Sequence, residues 1–162
     1  MFVSSTKNRL SNSTIKQIKN QFDTDLSEFL GKDEVLESIK TPEKSQYILK
    51  NGLPIFIMAD KFIPTLKCVH ACPNIVKRVV VDVGAIKHII NGADVMAPGL
   101  LHQTSEFPSV SIGDIVAIYG YGKINAMAVG IILMDNQQVE EQRIGVAIKT
   151  VNHLGDRLYS YA

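Results

Sequence analysis

The sequence has little cysteine, no tryptophan and no long apolar run, and these shortages exclude several classes of protein. Two cysteines in 162 residues cannot form a disulfide framework, which favours a reducing compartment. No apolar run approaches the roughly 20 residues that span a bilayer. Residues 1–12 also lack the apolar stretch of a signal peptide. We therefore expect a cytoplasmic protein that has no membrane partner.

Neither sign of charge dominates the chain, although the charges are unevenly distributed. The 17 Lys and Arg residues against 16 Asp and Glu residues give a net charge of +1, which favours no class of partner. Between Lys61 and His88, however, five cations stand against the single carboxylate of Asp82. Such an excess suits a phosphate backbone. A solvated face whose acids lie elsewhere in space would give the same pattern.

The chain has room for one large domain or two small ones. Hydrophobic residues make up 46% and charged residues 20% of it, as in ordinary globular proteins. A change of character near Val76 predicts two domains. Residues 1–75 are expected to form an α+β domain and residues 76–162 a mostly β barrel.

The beginning of the first domain is predicted to be helical. Residues 1–40 contain three helical patterns, which begin at Ser13, Asp25 and Asp33. The third pattern places Val35, Leu36 and Ile39 on one side of a helical turn. The domain is therefore expected to contain mostly helix.

The end of the first domain carries a hairpin signal and a helix signal. Asn51-Gly52 between two apolar runs, residues 47–49 and 55–57, predicts an antiparallel hairpin. Pro64 is suited to the first position of a helix that runs towards His70. This hairpin is the small sheet of the predicted domain.

Short apolar runs dominate the second domain. Strands are predicted at residues 79–81, 114–119, 126–133 and 145–151, with an extended pair at 95–96 and a polar, helical connection at 137–143. A short helix is predicted at residues 84–91, and Gly92 falls where a left-handed residue ends a helix. Pro98-Gly99 is typical of a turn.

A glycine-rich motif surrounds this short helix. Gly84-Ala85 opens it without bulk, Gly92-Ala93 closes it, and Val95-Met96 with Pro98-Gly99 follows. This order resembles the signature of the PUA domain, an RNA-binding pseudobarrel. The resemblance implies a PUA-type fold for the second domain.

A wider likeness extends from about Tyr47 to the C-terminus. The segment Phe62-Ile63-Pro64-Thr65-Leu66-Lys67, the pair Val81-Asp82 and the ending His153-Leu154-Gly155-Asp156 resemble the malignant-T-cell-amplified-sequence family, which is related to ligatin. The resemblance implies a noncatalytic RNA-binding translation factor with density-regulated protein as its partner. It also implies action at the small ribosomal subunit, in reinitiation, 40S recycling and tRNA handling.

Two sets of site residues follow from these patterns. Cations beside exposed backbone donors suit RNA phosphates and 2′-hydroxyls, and the RNA-binding set is Lys77, Arg78, Lys87, Gly92, Ala93 and Asp94. The family resemblance and an apolar segment beside a basic helix indicate protein binding by Phe62, Pro64 and Lys67. Taken alone, Phe62 is better explained as a core side chain.

Cys68, His70 and Cys72 are residue types that can bind a metal ion, and they lie close together in the sequence. A closed zinc site needs about four ligands, and these three are too crowded on one helix to converge. We expect the cysteines to pack in the core or an interface, His70 to be a polar surface residue, and the protein to hold no metal.

The motifs of common enzymes are missing. The sequence contains no GxSxG, Walker loop, GxGxxG or HExxH pattern, so we expect neither catalysis nor a cofactor. Two alternatives to a translation factor remain: a PUA accessory protein in RNA modification or ribosome assembly, and a protein–protein module that has lost RNA binding.

Overall fold

The computed structural model describes residues 6–161, which contain two five-stranded sheets. The strands are β1 Thr6–Arg9, β2 Leu36–Lys40, β3 Gln46–Lys50, β4 Leu53–Met58, β5 Phe62–Pro64, β6 Lys77–Val81, β7 Val95–Met96, β8 Ile115–Gly120, β9 Ala128–Ile132 and β10 Val146–His153. The helices are α1 Asn12–Gln21, α2 Leu66–Ala71, α3 Ile86–Ile90, α4 Pro98–Leu101 and α5 Asn136–Gln142.

The N-terminal sheet is an antiparallel meander in the order β1-β2-β3-β4-β5. The predicted hairpin is confirmed, since Asn51 and Gly52 join β3 to β4 with φ angles of 51° and 84°. Both residues are left-handed, as the tight turn that matches strand twist requires. Helix α1 packs on this sheet through the fully buried Ile18.

The prediction of a mostly helical beginning is wrong beyond α1. The helix cap is Ser11 rather than Ser13, because the Ser11 hydroxyl accepts from the backbone N–H of Thr14. The segment after Asp25 forms only turns, and the segment after Asp33 becomes strand β2. Residues 1–5 of the predicted helical region lie outside the described residues.

Two proline predictions are also corrected. Pro64 ends strand β5, and the helix that follows begins at Leu66 with Thr65 as its cap. Thr65 uses its hydroxyl to accept from the N–H of Cys68, so a capping side chain and not a proline starts α2. Pro98-Gly99 opens the short helix α4 instead of a turn.

The C-terminal sheet has the order β6-β8-β9-β10-β7 and curls into a half-barrel. Only the β6–β8 pair is parallel, and the predicted strands and the helical connection α5 are confirmed. The predicted helix after β6 begins as a 3-10 turn, Val83–Ala85, and continues as α3. Gly92 follows that helix with φ 93°, as predicted for a left-handed residue.

One hydrophobic core joins the two sheets. Val79 and Val81 face the inside of the half-barrel, whereas Val80 between them packs into the core of the N-terminal sheet. Strand β8 alternates in the same way, with Val116 inside and Ala117 on the shared side. Because both faces are buried there, β8 and the Val79–Val81 part of β6 are continuously apolar.

Candidate nucleic-acid interface

Helix α3 and the loop after it form the glycine-rich edge that the sequence predicted. Asp82 caps the 3-10 turn, since its carboxylate accepts from the N–H of Gly84 at 3.1 Å. A Cβ on Gly99 would lie 3.7 Å from the carboxylate of Asp82 and 3.9 Å from the Cβ of Ala85. These are ordinary van der Waals distances, so the start of α4 packs in contact with the turn and an alanine would also fit at Gly99.

The backbone donors of this edge are used mainly to end α3. The N–H of Gly92 donates to the carbonyl of Ile89 at 2.9 Å, and the N–H of Ala93 donates to the carbonyl of His88 at 3.0 Å. This pair of hydrogen bonds is a Schellman cap. The N–H groups of both residues are therefore hydrogen-bonded within the chain, although Gly92 and Ala93 are exposed to solvent.

Hydrogen bonds from strand β10 hold the loop that follows α3. The carboxylate of Asp94 accepts from the N–H of Thr150, and the Thr150 hydroxyl donates to the carbonyl of Ala93, both at 2.9 Å. The His153 ring lies against Gly92, where a Cβ would come 3.0 Å from Nε2. Thr150 and His153 escaped prediction as site residues because they are more than fifty positions along the chain.

Lys87 is an exposed cation of this edge. Its side chain projects from α3, and it makes no hydrogen bond or ion pair within residues 6–161. An unpaired ammonium beside an exposed glycine loop can contact a phosphate that approaches the backbone closely.

Lys77 and Arg78 lie in a different place, at the beginning of β6. They line a groove of about 650 Å³ between the end of α1, in the N-terminal half, and strands β6 and β8 of the C-terminal sheet, which we call the inter-sheet groove. Its walls are residues 21–24, 73–78 and 114–115, together with Lys61 and Tyr119. Sequence reasoning missed Lys61 and Tyr119 as neighbours of Arg78, since only the packing of β5 and β8 brings them there.

The structure thus divides the predicted RNA-binding residues into two groups. Lys77 pairs with Val116 near the start of β8, whereas Ile86, next to Lys87, packs over Gly120 at its end. A strand of this length separates its ends by roughly 13 Å. Lys87, Gly92, Ala93 and Asp94 form one group, and Lys77 and Arg78 form the other.

The three predicted partner-binding residues differ in exposure. Pro64 is buried, and Phe62 is half-buried with its ring centroid 6.4 Å from that of Phe56. Lys67 is also half-buried, with Nζ 5.2 Å from the ring centroid of Tyr159 and 3.3 Å from the carbonyl oxygen of Tyr161. A partner-binding role for the three residues stays a prediction.

The Cys-His-Cys segment of α2 does not converge. No group of three His, Cys, Asp or Glu side chains within residues 6–161 is arranged to hold a metal ion. Cys68 is fully buried, and burial raises the pKa of its thiol well above the ordinary range. His70 is half-buried rather than on the surface, and its Nε2 lies 2.8 Å from the carbonyl oxygen of Ala126, which corrects its prediction as a surface residue.

Comparisons with known proteins define the class of this fold. The Pre-PUA-like domain matches residues 2–73, and the PUA domain matches residues 77–154. A hypothetical protein from the archaeon Pyrococcus horikoshii has a similar structure, with TM-score 0.78 and 29% identity over 97% of this chain and all of that one. A conserved PUA domain protein from Thermoplasma acidophilum gives TM-score 0.74 and 26% identity, with 97% and 100% covered. The chain is a pre-PUA unit followed by a PUA domain.

Relatives among characterised proteins narrow the class to one family. Translation machinery-associated protein 20 of Saccharomyces cerevisiae is 34% identical over 141 residues, which cover 85% of this chain and 78% of that protein. Malignant T-cell-amplified sequence 1 of Danio rerio is 31% identical over 160 residues, or 93% and 88% of the two chains. The chain belongs to the family of these two proteins. No helix within residues 6–161 is long and apolar enough to cross a membrane.

Proposed function

We propose that this protein is a noncatalytic RNA-binding factor of translation that acts in the cytoplasm at the small ribosomal subunit. Its family membership supports the translation role, since one relative is named for the translation machinery. The observation that carries RNA binding is the exposed, unpaired Lys87 on helix α3 of the PUA domain, the helix that the exposed Gly92–Ala93 loop follows. Reinitiation, 40S recycling and tRNA handling are the steps in which such a factor would act.

Sedimentation tests the ribosomal part of the proposal. Tagged protein from a cell extract is expected to sediment with 40S particles in a sucrose gradient and to leave them at high salt. Co-sedimentation with modification or assembly particles would favour the accessory-protein alternative instead. Migration only with free protein would contradict the ribosomal role.

Salt-dependent binding tests the RNA contacts. Removing one phosphate-contacting lysine should weaken binding to unrelated structured RNAs equally and lower the salt slope by about 1. We expect this of Lys87→Ala, and of Arg78→Ala if the second group also contacts phosphates. Lys149→Ala, which removes an exposed charge from β10, is the matched control. Unchanged affinity and slope in both test variants would show that RNA binds elsewhere.

A protein partner resembling density-regulated protein is the second part of the proposal. Lys67 is the charged residue among the three predicted partner residues, so reversing its charge is the most direct test. A stoichiometric partner should co-purify with the wild type. Lys67→Glu should weaken its binding, whereas the control Lys149→Glu should not. Recovery of RNA alone would contradict an adaptor role.

We also propose that this protein consists of two domains, residues 1–75 and residues 76–162.

A further inference from the structure

The inter-sheet groove combines an aromatic ring, a planar cation and two lysines in one cavity. The Cζ atom of Arg78 lies over the ring of the buried Tyr119, 4.3 Å from its centroid. Arg78 is itself exposed and lines the groove. The ring therefore lies on one side of the guanidinium, and the exposure of Arg78 leaves its other side open.

The guanidinium of Arg78 has unused donors. It carries five N–H groups, yet within residues 6–161 it makes no hydrogen bond and no ion pair. The Tyr119 ring favours this position of the guanidinium, because cations are attracted to the face of an aromatic ring. A planar and unpaired cation held over a ring is a platform for a flat ligand.

Two ammonium groups of the groove are held by one loop. Nζ of Lys61 donates to the carbonyl of Gly113, and Nζ of Lys77 donates to the carbonyl of Ser109, both at 2.6 Å. Neutral carbonyls position these ammonium groups without cancelling their charge. Each ammonium has three donors, so two remain for a ligand.

The carboxylates of the groove do not neutralise these cations. Asp114 turns to its own loop, where it accepts from the N–H of Ser111 at 2.8 Å. Asp23 also lines the groove, but in the described part of the chain neither acid forms an ion pair with Lys61, Lys77 or Arg78. Three cations against two acids leave the groove positive, and Asp23 is available as an acceptor for a hydroxyl or an amino group.

We propose that the inter-sheet groove binds a single-stranded RNA segment, with one base stacked on the open face of Arg78. The phosphates on either side of that base contact Lys61 and Lys77. Proteins commonly recognise unpaired bases by stacking them on aromatic side chains or arginine planes. The proposal rests on the proposed RNA-binding function and adds a second contact, separate from the Lys87 edge.

Three RNAs distinguish the two contacts. They are a hairpin, the same hairpin with a four-adenosine extension, and an oligoadenylate alone, each measured by fluorescence anisotropy at fixed salt. The extension should raise the affinity of the wild type about tenfold, as expected for one or two stacked bases. Arg78→Lys keeps the charge but loses the plane, so it should abolish this gain, which is read as the ratio of the affinities for the extended and the plain hairpin. Tyr119→Phe keeps the ring and should retain the gain.

Arg9→Lys on β1 is the matched control, since it makes the same change at an exposed site outside the groove. Thermal unfolding of each variant checks that the fold is intact. If the extension adds no affinity, or if Arg78→Lys retains the gain, the groove proposal is overturned and the proposed function stands. If the hairpin fails to bind while oligoadenylate binds through Arg78, the Lys87 edge is wrong and the groove stands. If no RNA binds, both proposals fall.

Discussion

Gly92 carries two constraints at the end of helix α3. Its φ of 93° lies in a region that side chains with a Cβ rarely adopt. A Cβ at this position would also come 3.0 Å from Nε2 of His153. Gly122 has a similar φ of 77°, but a Cβ there would have nothing within 4 Å. Comparing substitutions at Gly92 and Gly122 therefore separates the cost of backbone strain from the cost of steric crowding.

We predict that Gly92→Val lowers the free energy of unfolding by about 1–3 kcal/mol through backbone strain. Gly122→Val should cost less, because only the strain applies there. Urea denaturation followed by circular dichroism measures both. Adding His153→Ala should recover part of the loss in Gly92→Val and none in Gly122→Val. An unchanged free energy of unfolding in Gly92→Val would contradict the left-handed assignment.

The two cysteines differ in their access to solvent. Cys68 is fully buried, and Cys72 is half-buried after the end of α2. Burial raises the pKa of both thiols, more strongly for Cys68. Because thiolate is the reactive form, a raised pKa slows alkylation.

We predict that iodoacetamide at pH 8 labels Cys72 more slowly than a free thiol and leaves Cys68 unlabelled until the protein unfolds. Burial also keeps the pKa of Cys68 raised, so the free energy of unfolding should fall as pH rises above the ordinary thiol pKa, where the unfolded chain loses the proton that native Cys68 keeps. The Cys68→Val variant should therefore lose less stability between pH 8 and pH 10 than the wild type does. Equal labelling rates for the two native thiols would contradict their placement.

At the scale of elements, local chemistry made some structure predictable. Asn51 and Gly52 determine their turn by their own φ preferences, and the glycines around α3 act within a few residues of that helix. The β-branched Val79–Val81 run likewise indicated a strand. Each of these signals depends on neighbours in the chain, so sequence alone carried it.

Strand β2 escaped prediction because both of its faces are buried. Leu36 packs into the shared core, while Ile39, three positions later, packs with Leu49 and Leu158 in a separate cluster on the other side of the sheet. The spacing of the two apolar residues therefore imitated a helical stripe. The prediction of the site residues was incomplete for a similar reason. Strand pairing brings Tyr119, Thr150 and His153 to the two groups of site residues, and the sequence does not show which strands pair.

Asn152 joins β10 to the beginning of helix α2. Its amide is 2% exposed; Oδ1 accepts from the N–H of Leu66 at 2.7 Å, and Nδ2 donates to the carbonyl of Pro64 at 3.3 Å. The N–H of Leu66 is one of the donors that a helix leaves unpaired at its first turn. A side chain from the other sheet satisfies it.

We predict that Asn152→Leu, which is similar in size, lowers the free energy of unfolding by about 1–3 kcal/mol, because it leaves a buried N–H and a carbonyl unpaired. Urea denaturation measures the change. The control is Asn125→Leu at an exposed position, which should stay within about 0.5 kcal/mol of the wild type. A loss no greater than that of the control would show that the amide is not needed to join the sheets.

At the scale of the whole molecule, the contacts between the two sheets disfavour independent unfolding of either sheet. Val80, Ala117 and Tyr119 of the PUA domain pack in the same core as Ile48 and Phe56 of the N-terminal sheet. Hydrogen bonds also connect the N-terminal and C-terminal halves at several places: His70 to Ala126, Lys61 to Gly113 and Leu66 to Asn152. Separating the sheets would expose this core to water, at about 25 cal/mol for each Å² of apolar surface.

We predict that the two sheets unfold in one cooperative transition. In urea, hydrogen exchange of peptides from residues 46–58 should have the same midpoint as that of peptides from residues 115–132, and circular dichroism should agree with both. Asn152→Leu should move both midpoints together, because the bond it removes connects the sheets. Protection that persists in residues 115–132 after residues 46–58 have exchanged would contradict the prediction. It would mean that the PUA domain is stable without the N-terminal sheet, and that the inter-sheet groove can open while the Lys87 edge remains folded.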